Sequence, residues 1–341
     1  MGELKGKLGI YLSKIQNESG EFEILQLLEK TLDVSHPEQG EVPIKILGFG
    51  EISLVFEVLH GNLSNLAFKR LPIFESKDQI TQHINAYNEY NRILQESLGI
   101  QVPSSDTTWV FSDEKKTKIS LYCIQDKVDP SSIGNKVIHA LPETDLIQFI
   151  RIVLTQMKKV WDNNQSSPKE KLQIGLDGQI SNWSVIGYDS TNPAITPETQ
   201  LLYIDTSTPM YRINGEDAME GKLFLKSAPS FLRWVLKPLL QEVLDRYYNW
   251  RDVVIDMVAN FYKEQLADRI PAILTEVNHF FANDAASHNI APLSLDEVKK
   301  YYKHDKFIWV LFQQLRKFDR FLKTKILRKR YDFYLPPKIK R

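Results

Sequence analysis

The sequence predicts an α+β chain of two lobes, an N-terminal antiparallel sheet carrying one helix followed by a mostly helical C-terminal half. Three observations predict it. Short apolar runs broken by Gly and Asn turns fill residues 44–71. Helix-period apolar patterns dominate beyond residue 230. The 341 residues, 43% hydrophobic and 25% charged, suffice for one two-lobed unit with buried cores, which excludes disorder over most of the chain.

In order along the chain, Leu8, Tyr11, Leu12 and Ile15 fall at helical spacing, and residues 22–32 predict a second helix before the linker His36-Pro37-Glu38-Gln39-Gly40. Strands are expected at 44–47, 54–59 and 66–71. A helix over about 77–98 follows, with Ile80, Ile84, Tyr87, Ile93 and Leu94 as its buried stripe. Two more strands, 108–111 and 119–124, flank the turn at 113–116. A long helix starts at Pro142-Glu143-Thr144-Asp145 and runs to about Asp162. Short strands are then expected at 172–174, 183–186 and 201–204, and helices at about 230–248, 250–266, 270–282 and 295–330.

The single cysteine, Cys123, excludes an internal disulfide and a cysteine-based zinc site. The N-terminus shows no signal-peptide apolar core, and Gly6 stands where myristoylation requires Ser or Thr. No apolar run approaches the roughly 18–20 residues of a membrane span. A cytoplasmic location is expected. Net charge is zero but uneven: residues 316–341 hold eleven Lys/Arg against two Asp, about +9, so the remainder carries about −9.

Five local features answer the needs of phosphoryl transfer, which are backbone donors, a cation, metal ligands and a positioned base. Gly48-Phe49-Gly50-Glu51-Ile52-Ser53-Leu54-Val55 lies between two strands, where glycines let N–H groups approach phosphate; an ordinary β-turn is the alternative. Lys69, on the third strand, can point inward at phosphate or outward into solvent. Glu89, on the following helix, is the expected carboxylate partner of Lys69, in competition with Glu75 and Glu96. Asp177, in Leu176-Asp177-Gly178-Gln179-Ile180-Ser181-Asn182, can orient and deprotonate a hydroxyl, and Asn182 can ligate a metal; a plain Asp-Gly turn is the alternative. Asp205 ends an apolar strand, where it can chelate magnesium or merely cap the next loop.

With these residues the sequence resembles the protein kinase-like superfamily, in its small-molecule branch of the aminoglycoside phosphotransferase and choline kinase type, over about residues 44–210. Gly48, Gly50 and Val55 match the glycine-rich loop, Lys69 the strand lysine, Asp177 and Asn182 the Asp-x-x-x-x-Asn catalytic loop, and Asp205 the metal aspartate. Ser53 replaces the third glycine, and Gly175 the histidine two residues before the catalytic aspartate. No cation lies between Asp177 and Asn182, and Thr206-Ser207 follows Asp205 in place of Phe-Gly. The resemblance implies a bilobal kinase-like fold with ATP and Mg2+ as cofactors. ATP contacts would come from Gly48, Phe49, Gly50, Ser53, Val55 and Lys69, and from a hinge at Gln125-Asp126-Lys127 whose backbone meets adenine. Catalysis would fall to Asp177, Lys69 and Glu89, and the metal to Asn182 and Asp205. It also implies a helical extension over 1–40, a nucleotide-binding lobe over 41–128, and a C-lobe over 129–341 holding the catalytic loop and a basic C-terminal helix.

Asp252 and Asp256, four apart on a helix, are either exposed acids or, for Asp256, the aspartate that in the resembling family supports the catalytic loop. Leu311, Leu315, Phe318, Leu322 and Ile326 predict an amphipathic tail helix with a basic face. That face is either solvated or a docking surface for an acidic partner, an anionic lipid surface or nucleic acid. The expected function is transfer of the γ-phosphate of ATP to a small hydroxyl- or amine-bearing acceptor. The alternatives are a kinase-like pseudoenzyme or nucleotide-binding module, and a scaffold whose basic tail binds nucleic acid or membrane.

Overall fold

The computed structural model describes residues 21–50, 52–113, 115–166, 171–227 and 233–335. The helix expected around Leu8–Ile15 lies outside them. The first described element is α1 (Glu21–Thr31), followed by the strands β1 (Ile44–Phe49), β2 (Leu54–Val58) and β3 (Leu66–Phe74). Helix α2 (Lys77–Arg92) starts at Ser76, whose hydroxyl accepts from the Gln79 N–H, and passes into a π turn over Ile93–Ser97. Strands β4 (Ser105–Phe111) and β5 (Ile119–Asp126) complete a five-stranded antiparallel sheet in the order β1-β2-β3-β5-β4.

Period-two alternation on β3 sends neighbouring side chains to opposite faces of this sheet. Lys69 thus faces the second lobe, while Arg70 enters a core formed with α1. There Phe56 stacks on Phe68 at 5.8 Å, and Leu25 and Leu28 of α1, with Leu32 just after it, seal the sheet.

The second lobe begins with α3 (Gly134–Ala140), a short helix not anticipated from the sequence, and α4 (Glu143–Ser166). Three short strands follow, β6 (Leu172–Ile174), β7 (Trp183–Val185) and β8 (Leu201–Tyr203), then a hairpin of β9 (Tyr211–Ile213) and β10 (Glu216–Asp217). Its turn is Asn214-Gly215, both at positive φ, the Asn-Gly signal of a tight hairpin. Helices α5 (Arg233–Arg246), α6 (Trp250–Lys263), α7 (Ile270–Asn283) and α8 (Leu295–Phe321) follow. The core sits where α4, α6 and α7 meet, with Trp161 stacked on Trp250 at 5.4 Å. A capping box of Ser294 and Glu297 starts α8. The whole is the two-lobed α+β fold expected, with an antiparallel sheet first and helices after.

The tail differs from the expectation. Beyond Val298 near its start, the buried residues of α8 are Gln313, Arg316 and Asp319, while Phe318 is 46% exposed and Ile326, in the turn beyond, 59%. Of the apolar stripe read from Leu311 to Ile326, Leu315 packs against the small core of Leu225 and Leu236 and Leu311 and Leu322 are half-buried, while Phe318 and Ile326 stand out from it. The reason lies in what packs there: after a π turn over Leu322–Ile326 and a left-handed residue at Arg328, the chain runs back across the first lobe. Tyr331 and Phe333 are buried in that lobe's core, and Arg316 donates to the Tyr334 carbonyl at 2.7 Å. Arg330 donates to the Glu29 carbonyl at 2.7 Å, and Arg70 to the Asp332 carbonyl at 2.8 Å. Several of the tail's cations thus serve internal contacts.

Candidate active site

Between the lobes the structure brings together four of the residues singled out in the sequence. Lys69 donates to Asp205 Oδ1 at 2.7 Å from β3, and the Ser207 hydroxyl donates to the same oxygen at 3.2 Å. Beside them lies the loop 175–182. Asn182, buried just before β7, donates from Nδ2 to the Asp177 carbonyl at 3.2 Å, and its own carbonyl accepts from the Ile204 N–H at 2.8 Å. The pairing of β7 with β8, Trp183 opposite Tyr203, therefore sets Asp177-x-x-x-x-Asn182 against Asp205. This is how residues 28 positions apart come to share one site.

Asp177 is half-buried, and its carboxylate accepts from the Gln179 N–H at 3.1 Å. Burial, then the negative charge of Asp256, then that of Asp205 push its pKa up to about 7, against the opposing hydrogen bonds of Gln179 and Asn182. A carboxyl poised there changes protonation near neutral pH, as a general base requires. Beneath the loop, Gln179 Nε2 donates to Asp256 at 3.1 Å, so Asp256 supports the loop through a side chain. Burial, then Asp305, raise the Asp256 pKa. A cavity of about 10 Å³, water-sized, lies under Asp177 and Gly178 and is walled by Arg246, Asp256 and Tyr301. It is too small for a substrate.

The loop's scaffold lacks the histidine of the resembling family and uses other groups. Tyr90 Oη donates to the Gly175 carbonyl at 2.9 Å, Gly175 N–H to Met210 at 2.7 Å, and Leu176 N–H to Tyr247 at 3.0 Å. A Cβ at Gly178 would lie 2.3 Å from Met157 Cε and 2.6 Å from Val253 Cγ1, so glycine is needed for this close approach.

Glu89 does not meet Lys69. It pairs with Arg92 at 2.7 Å on the outer surface of α2, and Lys69 takes Asp205. The reason is helical phase. Ile80, His83, Tyr87 and Tyr90 form the buried face, and Glu89 lies nine residues past Ile80, about half a turn away from it at 100° per residue. Toward the site α2 presents His83, whose Nε2 donates to the Ser207 carbonyl at 3.1 Å, and Tyr87, whose hydroxyl hydrogen-bonds with Ser105 and Thr206. Burial, reinforced by the Lys69 charge and opposed by the Ser207 bond, lowers the His83 pKa to about 4. His83 is thus neutral at pH 7. The sequence reading missed both His83 and Tyr90; the i, i+3, i+7, i+10 spacing from Ile80 carries them.

The glycine-rich segment forms a tight hairpin. Gly48 pairs with Val55 and Phe49 with Leu54, and the Gly50 N–H donates to the Ser53 carbonyl at 3.1 Å. That donor is therefore engaged within the turn. Ser53 is buried, and the Phe49 ring lies 5.7 Å from that of Tyr334 in the returning tail. Gln125 sits within β5 between Ala67 and Ser105. Lys127 N–H donates to the Asn65 carbonyl at 3.0 Å, and its ammonium holds Glu57 and the Ser64 carbonyl. Neither Lys127 group is free for a nucleotide in this arrangement.

Among the described residues no group of three or more His, Cys, Asp or Glu side chains could hold a metal. Asp205 and Asn182 supply two oxygens, a set that suits magnesium when phosphate oxygens and water complete the shell. After burial, the charges of Asp256 and Asp205 raise the Asp177 pKa, and such a gathering of acids suits a cation.

No curated protein matches the chain. Among solved structures, it is similar to amicoumacin kinase hAmiN in complex with AMP-PNP, Ca2+ and Ami, at 12% identity and a TM-score of 0.29, over 94% of this chain and 98% of that one. It is also similar to WaaP in complex with acyl carrier protein, at 13% identity and a TM-score of 0.28, over 65% of this chain and 89% of that one. Neither likeness bears on the chemistry of this chain. A family match spans residues 27–320, most of the sequence, and the protein accordingly belongs to DUF6206, a family of unknown function.

Proposed function

We propose that the protein is an ATP- and magnesium-dependent phosphotransferase of the small-molecule kinase type, working in the cytoplasm on a hydroxyl- or amine-bearing acceptor. The observation that carries this reading is the Lys69–Asp205 pair set beside the Asp177–Asn182 loop. In this reading residues 41–128 bind the nucleotide and the chain from 129 onward supplies the catalytic loop. Lys69 releases Asp205 on nucleotide entry and turns its ammonium to the phosphates. Asp205 and Asn182 are the residues that would hold magnesium, and a cation there would neutralise charge on the phosphate oxygens. Asp177 accepts the acceptor's proton as the acceptor oxygen or nitrogen bonds to the γ-phosphorus and the bond to the ADP oxygen breaks.

The test is calorimetric titration with ATP, with and without magnesium, on the wild type and Asp205→Ala. Magnesium-dependent binding weakened about tenfold or more by the substitution supports the reading. Absence of any binding to the wild type removes it. A second reading, a nucleotide-binding module without transfer, draws on Glu89 facing away from Lys69 and on the engaged Gly50 N–H. Asp177-dependent appearance of a phosphorylated acceptor would eliminate that second reading.

A further inference from the structure

We propose that the outer face of α8 and the turn that follows it dock on an anionic lipid surface. Twelve large hydrophobic side chains are exposed among the described residues, and six of them fall within residues 307–327. Phe307 is 65% exposed, Val310 42%, Phe321 52%, Ile326 59% and Leu327 56%. Such concentration of apolar surface in one stretch marks a contact face rather than scattered exposure.

From Lys303 onward the charge on this face is of one sign; Asp296 on the same stripe lies a further two turns toward the start of the helix. At 100° per residue, Lys303, Phe307, Val310, Lys317 and Phe321 fall within an arc of roughly 100°, a single stripe along α8. The acids of this part of the helix, Asp305 and Asp319, lie on the other side, and Asp319 is buried. Lys303, Lys317, Lys325, Arg328 and Lys329 are exposed and form no ion pair among the described residues. By contrast Lys323 and Arg330 are paired, with Asp319 and Glu29. The free cations of the tail thus sit beside its exposed apolar groups.

A convex helix face that mixes aromatic and aliphatic side chains with lysines is suited to the headgroup boundary, where rings enter the acyl edge and ammonium groups meet lipid phosphate. No helix among the described residues is long and apolar enough to cross a membrane, so contact through α8 would be peripheral. Other occupants fit less well. Pairing with a second copy would bring the lysines of two stripes together. Nucleic acid would press Phe307 and Phe321 against phosphodiester. Residues 1–20 carry three lysines against two glutamates and would add like charge.

The experiment is sedimentation of the full chain with vesicles of phosphatidylcholine alone and of phosphatidylcholine with added phosphatidylglycerol. Binding to the anionic vesicles alone is expected. The pair Phe307→Ser/Phe321→Ser and the pair Lys317→Glu/Lys325→Glu should each reduce the bound fraction roughly tenfold or more. Unchanged thermal unfolding checks that each variant is folded; Val310→Ser serves where one is not. No binding, equal binding to both vesicle types, or binding that ignores both substitutions overturns the proposal. So does a wild-type dimer that Phe307→Ser dissociates, tighter retention by duplex DNA than by anionic vesicles, or vesicle binding that appears only after residues 1–20 are removed.

Discussion

Asp177 changes protonation where an enzyme works, and the consequences separate function from stability. Asp177→Asn should lower transfer about 10²–10⁴-fold while leaving magnesium–ATP binding intact, measured by turnover and calorimetry on one preparation. In the wild type, kcat/KM should rise through about pH 7, and Asp256→Asn should move that rise to lower pH by removing the larger of the two neighbouring charges. The stability effect has the opposite direction. The folded carboxyl keeps its proton up to about 7 whereas the unfolded one loses it near its ordinary 3.8, so the native state loses stability as pH rises across that window. Asp177→Asn should therefore be more stable than wild type at pH 8 in urea titrations, and nearly equal to it at pH 3. His83 acts in a different window. Its folded pKa of about 4 lies below the unfolded 6.5, so stability is complete above pH 6.5 and declines as pH falls toward 4. His83→Gln should flatten that acid limb in the same titrations.

At the scale of elements, the three strands, the helix after them and the Asp-x-x-x-x-Asn loop were legible because each rests on local chemistry. Alternation marks β1–β3, the Ser76 cap marks the start of α2, and glycine at 178 marks a close approach. What was illegible depends on phase and on distant partners. The stripe of α2 was read from its apolar residues, so His83 and Tyr90 escaped it, and Glu89 was chosen over Glu75 and Glu96 without the half-turn that separates it from Ile80. The tail was misjudged because a buried Arg316 and Asp319 make sense only once the chain is seen to double back. The same return creates a testable dependence. Arg70 and Glu29 are both 1% exposed and meet at 2.5 Å, with Tyr122 also donating to Glu29. Burial disfavours the Glu29 charge, but Arg70 outweighs it and holds the pKa below its usual range. Arg70→Met leaves that buried carboxylate only the Tyr122 hydroxyl and the more distant Arg330 and should cost about 3–5 kcal/mol in denaturant unfolding, whereas Arg70→Met/Glu29→Leu should regain most of it.

At the scale of the molecule, the site lies where two cores meet, and a ligand that bridges them should stabilise both. At ATP concentrations about 100-fold over Kd, with magnesium, the gain would be about 2.7 kcal/mol, and the melting temperature should rise by several degrees. Magnesium or ATP alone should do less; an unchanged melting temperature with both present would count against the nucleotide reading. The two-lobed division was readable from the order of strands and helices. The closure of the first lobe by α1 on one side and by the segment after α8 on the other was not, because Tyr331 and Phe333 reveal no partner in their own sequence neighbourhood. That closure bears on biosynthesis. Sheet strands β1–β5 emerge early, yet the surface they offer to Tyr331 and Phe333 waits until those residues, more than 200 positions later, have left the ribosome. The lobe made first is thus sealed after the helices around α4 have been made. A chain cut before Tyr331 would carry a complete second core beside an unsealed first one, the kind of species that aggregates or occupies a chaperone.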